Sequence, residues 1–302
     1  MDFISANLVT IIYVLLVVFA IGILIVFIRD FFKFKKEHGL EKEASWIKSG
    51  GLGFLTNFFD TLGIGSFAPT TAGLRLLKQC DDKLIPGILN IGCAIPVIFE
   101  AILFIREVAV EPITLGGMLL ASVIGAYLGA GIVAKLDRQY IRITMGVALI
   151  IAAFLMIAGL PWVGWGPTGG EAVGLTGGKL VIAIGANFVL GALMTAGIGL
   201  YGPCMALVYV LGMSPRVAFP IMMGSCALLM PVASIKFIKE GVYGRKSAMA
   251  INIFGVVGVA VAFWIVKSMP LDILRILVIL VLLYTAISFL YSFAKDRKGA
   301  KA

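Results

Sequence analysis

TLGIGSFAP, Thr61 to Pro69, returns later in the chain as TAGIGLYGP, Thr195 to Pro203. The threonine, both glycines, the isoleucine between them and the final proline are identical. An aromatic stands at the same place in each copy, Phe67 and Tyr201. Both copies lie in apolar surroundings where a helix is the default. Gly-Ile-Gly followed by proline is poor helix interior, because glycine loosens the backbone and an interior proline removes a donor. In a bilayer such a break is tolerated only where protein or a water-filled cavity covers the opened backbone. Matched interruptions in two halves of a chain point to a transporter's binding site.

The rest of the composition agrees with a membrane setting. The chain has 302 residues, 61% of them hydrophobic and 14% charged, with a mean hydropathy of +1.07. A soluble protein of this size has too little interior for that much apolar surface, so an all-α polytopic membrane protein is expected. The net charge of +9 comes from Lys and Arg clustered at span ends, which reads as orientation in the bilayer and not as nucleic-acid binding. Cys80, Cys93, Cys204 and Cys226 show no CxxC spacing, and His38 is the single histidine, so no metal, haem or other cofactor site is expected.

Taken in order, an unbroken apolar run over 11–28 reads as a retained N-terminal helix, placed at 8–29. The basic stretch 29–48 after it reads as a cytoplasmic loop, with the N-terminus outside. Further spans are expected at 85–105, 113–134, 143–160, 217–235, 248–266 and 271–293. The two broken segments fall outside this set. If each broken segment crossed the membrane, three basic loops would face the wrong side. If each enters and returns on one side, the basic loops 30–48, 75–83, 135–142 and 236–246 and the C-terminal tail are all cytoplasmic.

The expected fold is therefore seven transmembrane helices plus two re-entrant broken-helix hairpins, arranged as inverted repeats. One membrane domain covers 1–302: repeat 1 at 49–160, an extracellular loop at 161–178, repeat 2 at 179–294 and a cytoplasmic tail at 295–302. Pro86 and Pro220, and the Phe-Ile-Arg-Glu at 104–107 with the Phe-Ile-Lys-Glu at 237–240, extend the duplication beyond the motifs. The hairpin tips are expected to meet near the midplane.

The duplicated motif, the length and the span pattern resemble the TauE/SafE family of sulfite and organosulfonate exporters, also called the toluene-sulfonate uptake permease family. The resemblance covers about residues 45 to 294. It implies a secondary transporter in the cell membrane for a small sulfur-containing anion such as sulfite, thiosulfate, sulfoacetate or a taurine-like sulfonate, with export and proton coupling as the finer expectation. The partners expected are that anion and the lipid bilayer, and a homo-oligomer is compatible with the sequence.

Half-helices starting near Gly65 and Gly199 would present free N–H groups and positive dipole ends to such an anion. The expected contacts are Thr61, Gly63, Ile64, Gly65, Ser66, Phe67 and Pro69 from the first copy. The second copy supplies Thr195, Gly197, Ile198, Gly199, Tyr201 and Pro203. Asp60 has two readings, as a coupling group or as a cap on the following turn, since an ionisable group at membrane depth is functional by default. Asn57, Asn90, Cys93 and Cys226 are secondary candidates, with interhelical bonding and small-residue packing as their plainer readings. Glu100 reads as a structural partner of Arg106. Gly125 to Gly129 (GAYLG) has no twin and reads as a packing face. The rival functions are an ion channel or cation permease and, further off, an intramembrane enzyme. With no Walker motif, no HExxH and no histidine in any span, the chain does not read as an enzyme.

Overall fold

The computed structural model describes residues 2–133, 138–160, 162–163, 165, 170–195 and 199–299. The helices are α1 (Asp2–His38), α2 (Trp46–Thr61), α3 (Phe67–Leu76), α4 (Ile85–Glu107), α5 (Pro112–Val133) and α6 (Arg138–Ala158), followed by α7 (Gly177–Thr195), α8 (Tyr201–Val210), α9 (Ala218–Glu240), α10 (Arg245–Ser268) and α11 (Leu271–Gly299). No strand occurs among the described residues. Among the described residues six segments are long and apolar enough to cross a membrane: Asn7–His38, Asp82–Glu107, Gly177–Met194, Pro215–Glu240, Arg245–Ser268 and Leu271–Ala294. α5 and α6, of 22 and 21 residues, are apolar over Pro112–Leu128 and Arg142–Ala158. The chain is an all-α polytopic membrane protein.

Two boundaries differ from expectation. α1 runs on to His38, so Arg29, Lys33, Lys35 and Lys36 ride on helix and not on a loop. Nothing in that stretch breaks a helix until Gly39, whose φ is +75° and whose N–H closes on the Lys35 carbonyl at 3.2 Å. Likewise α11 continues to Gly299 through most of the expected tail, because Ala, Lys, Asp and Arg there are compatible with helix.

The duplication carries into the elements. α3 and α8 have 10 residues each and α4 and α9 have 23 each; a 3-10 turn precedes both longer helices, Asp82–Leu84 and Pro215–Val217. The compact units nevertheless cut across the repeats. The first is Met1–Glu107 with Met223–Ser268; the second is Val108–Met222 with Met269–Ala302.

In the first unit α2 packs most extensively on α10. A Cβ added at Gly53 would strike the Ile251 backbone, and one at Gly258 would strike the Phe54 carbonyl, so the two backbones touch directly. Asn252 Nδ2 on α10 donates to the Ile91 carbonyl of α4 at 3.0 Å. α1 is pinned near its basic C-terminal end. Arg245 Nε meets Asp30 at 3.1 Å, Tyr243 also donates to Asp30, and the guanidinium lies over the Phe34 ring at 4.1 Å. Glu41 caps α10 by accepting from the Arg245 and Lys246 amides at 2.6 and 3.1 Å.

In the second unit α5 packs on α7 in the same manner. A Cβ at Gly125 would strike the Phe188 carbonyl, and one at Gly191 the Ser122 backbone. Asn187 Nδ2 donates to the Met118 carbonyl at 2.7 Å. Gly125 is thus a packing residue as expected, but it does have a counterpart: Gly258 makes the equivalent approach to Phe54. Glu111 caps α5, accepting from the Ile113 and Thr114 amides at 3.0 and 2.6 Å, with Pro112 at the first helical position where no N–H is needed.

Candidate functional site

The first motif closes α2 and opens α3. The Gly63 N–H donates to the Asp60 carbonyl at 2.7 Å and the Ile64 N–H to the Phe59 carbonyl at 3.1 Å, with Gly63 at φ +94°. This pair of bonds is a Schellman closure, which requires a left-handed residue at Gly63. Gly65 is left-handed too, at φ +87°. α3 begins at Phe67 with Ser66 as its N-cap residue, two positions later than expected. Pro69 falls in the first turn, where its missing N–H leaves no intrahelical bond unmade.

The chain then folds back. The Ser45 N–H and the Ser49 hydroxyl reach Gln79 Oε1 at 2.7 and 3.3 Å, joining the start of α2 to the turn after α3. Midway, Gly73 of α3 presses on Leu52 of α2. α2–α3 is therefore a helical hairpin. α7–α8 closes in the same way, with Lys179 Nζ on the Leu211 carbonyl at 3.1 Å. α3 and α8, at ~1.5 Å per residue, are each ~15 Å long, about half a ~30 Å hydrocarbon core. α7 by itself is long and apolar enough to span.

Of the second motif, Gly197 and Ile198 lie outside the described residues, as does the Thr195 side chain. Gly199 is exposed, Tyr201 is buried at the start of α8 and Pro203 repeats the placement of Pro69. The Cys204 N–H closes on Leu200 O at 2.9 Å as Thr70 does on Ser66 O at 3.0 Å.

Around the first tip the structure gathers polar side chains that are almost wholly buried: Thr56, Asn57, Asp60, Thr61, Ser66, Thr70 and Glu100. Thr61 Oγ1 donates to Glu100 Oε1 at 2.7 Å. The hydroxyl and backbone N–H of Ser66 both bear on the Asp60 carboxylate, and none of the groups acting on it is cationic. Ser66 and Asn57 also bear on the Cys93 thiol, with Asp60 and Glu100 close enough to act on it through their charge. The Asp60 carboxylate thus lies against the N-terminal end of α3, and the Ser66 amide there is turned toward a carboxylate instead of being free for a substrate.

Asn57, Asp60, Thr61, Ser66 and Cys93 come together as a group. Asn90 does not join them; its Nδ2 bonds to the Pro86 carbonyl of its own helix at 2.9 Å. Cys226 is buried in α9, and none of the four cysteines forms a disulfide. Glu100, Thr56 and Thr70 were not among the expected site residues. Glu100 carried a signal, a carboxylate inside an apolar span. Thr56 and Thr70 are identified only by the hairpin register. Among the described residues no cluster of three or more His, Cys, Asp or Glu side chains could hold a metal. In the second unit a groove of about 410 Å³ between α6, α7 and α8, lined by residues such as Met145, Leu149, Leu190 and Leu207, presents no charged group. Its chemistry suits an acyl chain and not an anion.

The family model described as "Sulfite exporter TauE/SafE" matches residues 1–157. That span takes in α1 and the first hairpin and stops before the second motif, so it is narrower at its C-terminal end than the resemblance read from the sequence. No curated protein and no solved structure matches the chain.

Proposed function

The chain belongs to the sulfite exporter TauE/SafE family, and from that premise we propose that it is a secondary transporter of a small sulfur oxyanion, sulfite or an organosulfonate, across the cell membrane. The observation that carries this reading is a helix break, Gly63 to Ser66, lined by buried polar side chains inside an otherwise apolar bundle. Once Asp60 is neutralised, Ser66 supplies a hydroxyl donor, Asn57 the amide hydrogen it does not give to the Gly53 carbonyl, and the first turn of α3 backbone N–H groups and the positive end of its dipole. Such an end contributes about 0.3–1 kcal/mol when exposed and up to ~2 kcal/mol when partly buried. That is a modest hold, which suits a carrier that must also release.

Asp60 shares that end of α3. While ionised it repels an anion, so substrate binding goes with its neutralisation, by a proton in the simplest case. A monoanion that leaves without the neutralising proton moves outward with a negative-inside membrane potential worth ~2.3 kcal/mol per 100 mV, and on that ground export is the favoured direction. The second motif, Thr195 to Pro203, is read as the counterpart contact, the hairpins as re-entrant, the N-terminus as outside and the C-terminus as cytoplasmic.

The test is flux in proteoliposomes with sulfite, thiosulfate, sulfoacetate, taurine and sulfate, each with and without a pH gradient. Sulfite or a sulfonate is expected to move. Current that follows a cation gradient alone would replace the carrier with a channel. For topology, Lys78→Cys and Trp165→Cys are expected to label from opposite sides; same-side labelling removes the re-entrant reading.

A further inference from the structure

The α2–α3 seam contains more buried oxygen than the protein itself satisfies. Thr56 Oγ1, Asn57 Oδ1, Asp60 Oδ2 and Thr70 Oγ1 have no hydrogen-bond partner among the described residues. Their side chains are at most 3% exposed. Orphaned buried polar atoms are uncommon and each costs about 1–3 kcal/mol. A neighbouring hydroxyl shows the ordinary solution: Thr71 donates to the carbonyl four residues back, at 2.8 Å.

The register of the hairpin brings these orphans to one place. Leu52 faces Gly73 lower in the seam, and Asp60 faces Ser66 at its tip. Thr56 lies one helical turn from both Leu52 and Asp60, and Thr70 lies one turn from both Gly73 and Ser66. By register, Thr56 and Thr70 therefore fall at one level of the seam, a helical turn below Asp60. Asn57, at i−3 from Asp60, adds its oxygen at the edge, its Nδ2 being held by the Gly53 carbonyl at 2.8 Å.

A carboxylate buried without a counter-charge costs several kcal/mol. A proton on Oδ2 would neutralise it and donate to one threonine oxygen, but would leave the other without a partner. A small cation satisfies all three oxygens at once. The donors are hard, hydroxyl and carboxylate, which select alkali and alkaline-earth ions over thiophilic metals. A single carboxylate balances a single charge. We propose that the α2–α3 seam binds one monovalent cation of sodium's size through Asp60 Oδ2, Thr56 Oγ1 and Thr70 Oγ1. The occupied site removes the charge that would repel an anion from the start of α3; that consequence rests on the transport reading, whereas the cation site itself does not.

The test is thermal unfolding of the purified full-length protein, followed by tryptophan fluorescence in choline chloride while sodium chloride is titrated in at constant ionic strength. Sodium is expected to raise the midpoint by several degrees and to saturate. Thr56→Val, Thr70→Val and Asp60→Asn are expected to weaken the apparent sodium affinity about ten-fold or more. Thr70→Ser, which keeps the oxygen, is expected to retain the response, and it serves as the test should a valine variant fail to fold. Identical midpoints in sodium and choline for the wild type, or an undiminished response in folded Asp60→Asn, overturn the cation site. Sodium stabilisation without flux of any sulfur anion supports the site and removes the transport reading. Flux without sodium stabilisation removes the site alone.

Discussion

Gly65→Ala isolates backbone conformation from space. An added Cβ at Gly65 meets no atom within 4 Å, so the methyl group has room. What it lacks is a comfortable backbone, because Gly65 sits at φ +87°. An L-residue with a Cβ pays roughly 1–2 kcal/mol in the left-handed region, which converts to about a 5- to 30-fold shift in the ratio of native to displaced tip. Sulfite or sulfonate flux at sub-saturating substrate, normalised to protein inserted in proteoliposomes, is expected to fall, by at most that factor. Gly65→Asn adds more bulk in the same open space but tolerates the left-handed region, so it is expected to retain more flux than alanine. Gly65→Val, β-branched, is expected to lose essentially all of it. Wild-type flux in Gly65→Ala, or Gly65→Asn as impaired as Gly65→Val, would refute the claim that the backbone turn is what the glycine supplies.

Gly258→Val and its counterpart Gly125→Val press a side chain against the Phe54 and Phe188 carbonyls. Each is expected to cost at least the ~1–3 kcal/mol typical of overpacking, read as lost monodispersity in size-exclusion chromatography, and a variant as well behaved as wild type would refute the direct backbone contact. Burial first, and then the Asp82 and Asp81 carboxylates, push the Cys80 thiol up from its ordinary 9.0 to about 11. Its alkylation near pH 8 is expected to be about 100-fold slower than that of an ordinary thiol, since the thiolate is the nucleophile, and faster in Asp82→Asn; an ordinary rate sinks this. Burial pushes the Glu111 carboxyl up, but the Thr114 hydroxyl and the Thr114 and Ile113 amides outweigh it and hold the group below its usual range. Its contribution is present at neutral pH and is lost as pH falls through the depressed folded value. Glu111→Gln is expected to cost about 0.5–2 kcal/mol at pH 7, as a lost cap does, and the gap from wild type should close on acidification; a gap constant with pH rules the capping charge out.

Helix positions, the duplication and both breaks were legible because glycine, proline and long apolar runs act locally. The hairpin was legible from charge, since only a returning chain leaves the basic loops on one side. The pairing of α2 with α10 and of α5 with α7 was not, because a helix face pressed on a distant helix leaves no periodic mark beyond small residues. Gly125 was readable as a contact, but not its kinship with Gly258, since the flanking residues differ. The extension of α1 to His38 was hidden by charge: Lys and Glu form helix as well as loop. Asp60 was readable as unusual, and its place over Ser66 depended on two left-handed glycines whose combined turn no local rule fixes. Thr56 and Thr70 look like any threonines until that turn brings them to one level of the seam.

The partnership of Trp46–Thr61 with Arg245–Ser268 also bears on biogenesis. About 200 residues separate the starts of these helices, so at ~5–20 residues per second a ribosome needs roughly 10–40 s to deliver the second after the first. Through that interval the bare glycine face of the nascent segment has no mate. A chain released early, before Arg245 emerges, carries an inserted but unclasped first hairpin and is a natural target for membrane quality-control proteases.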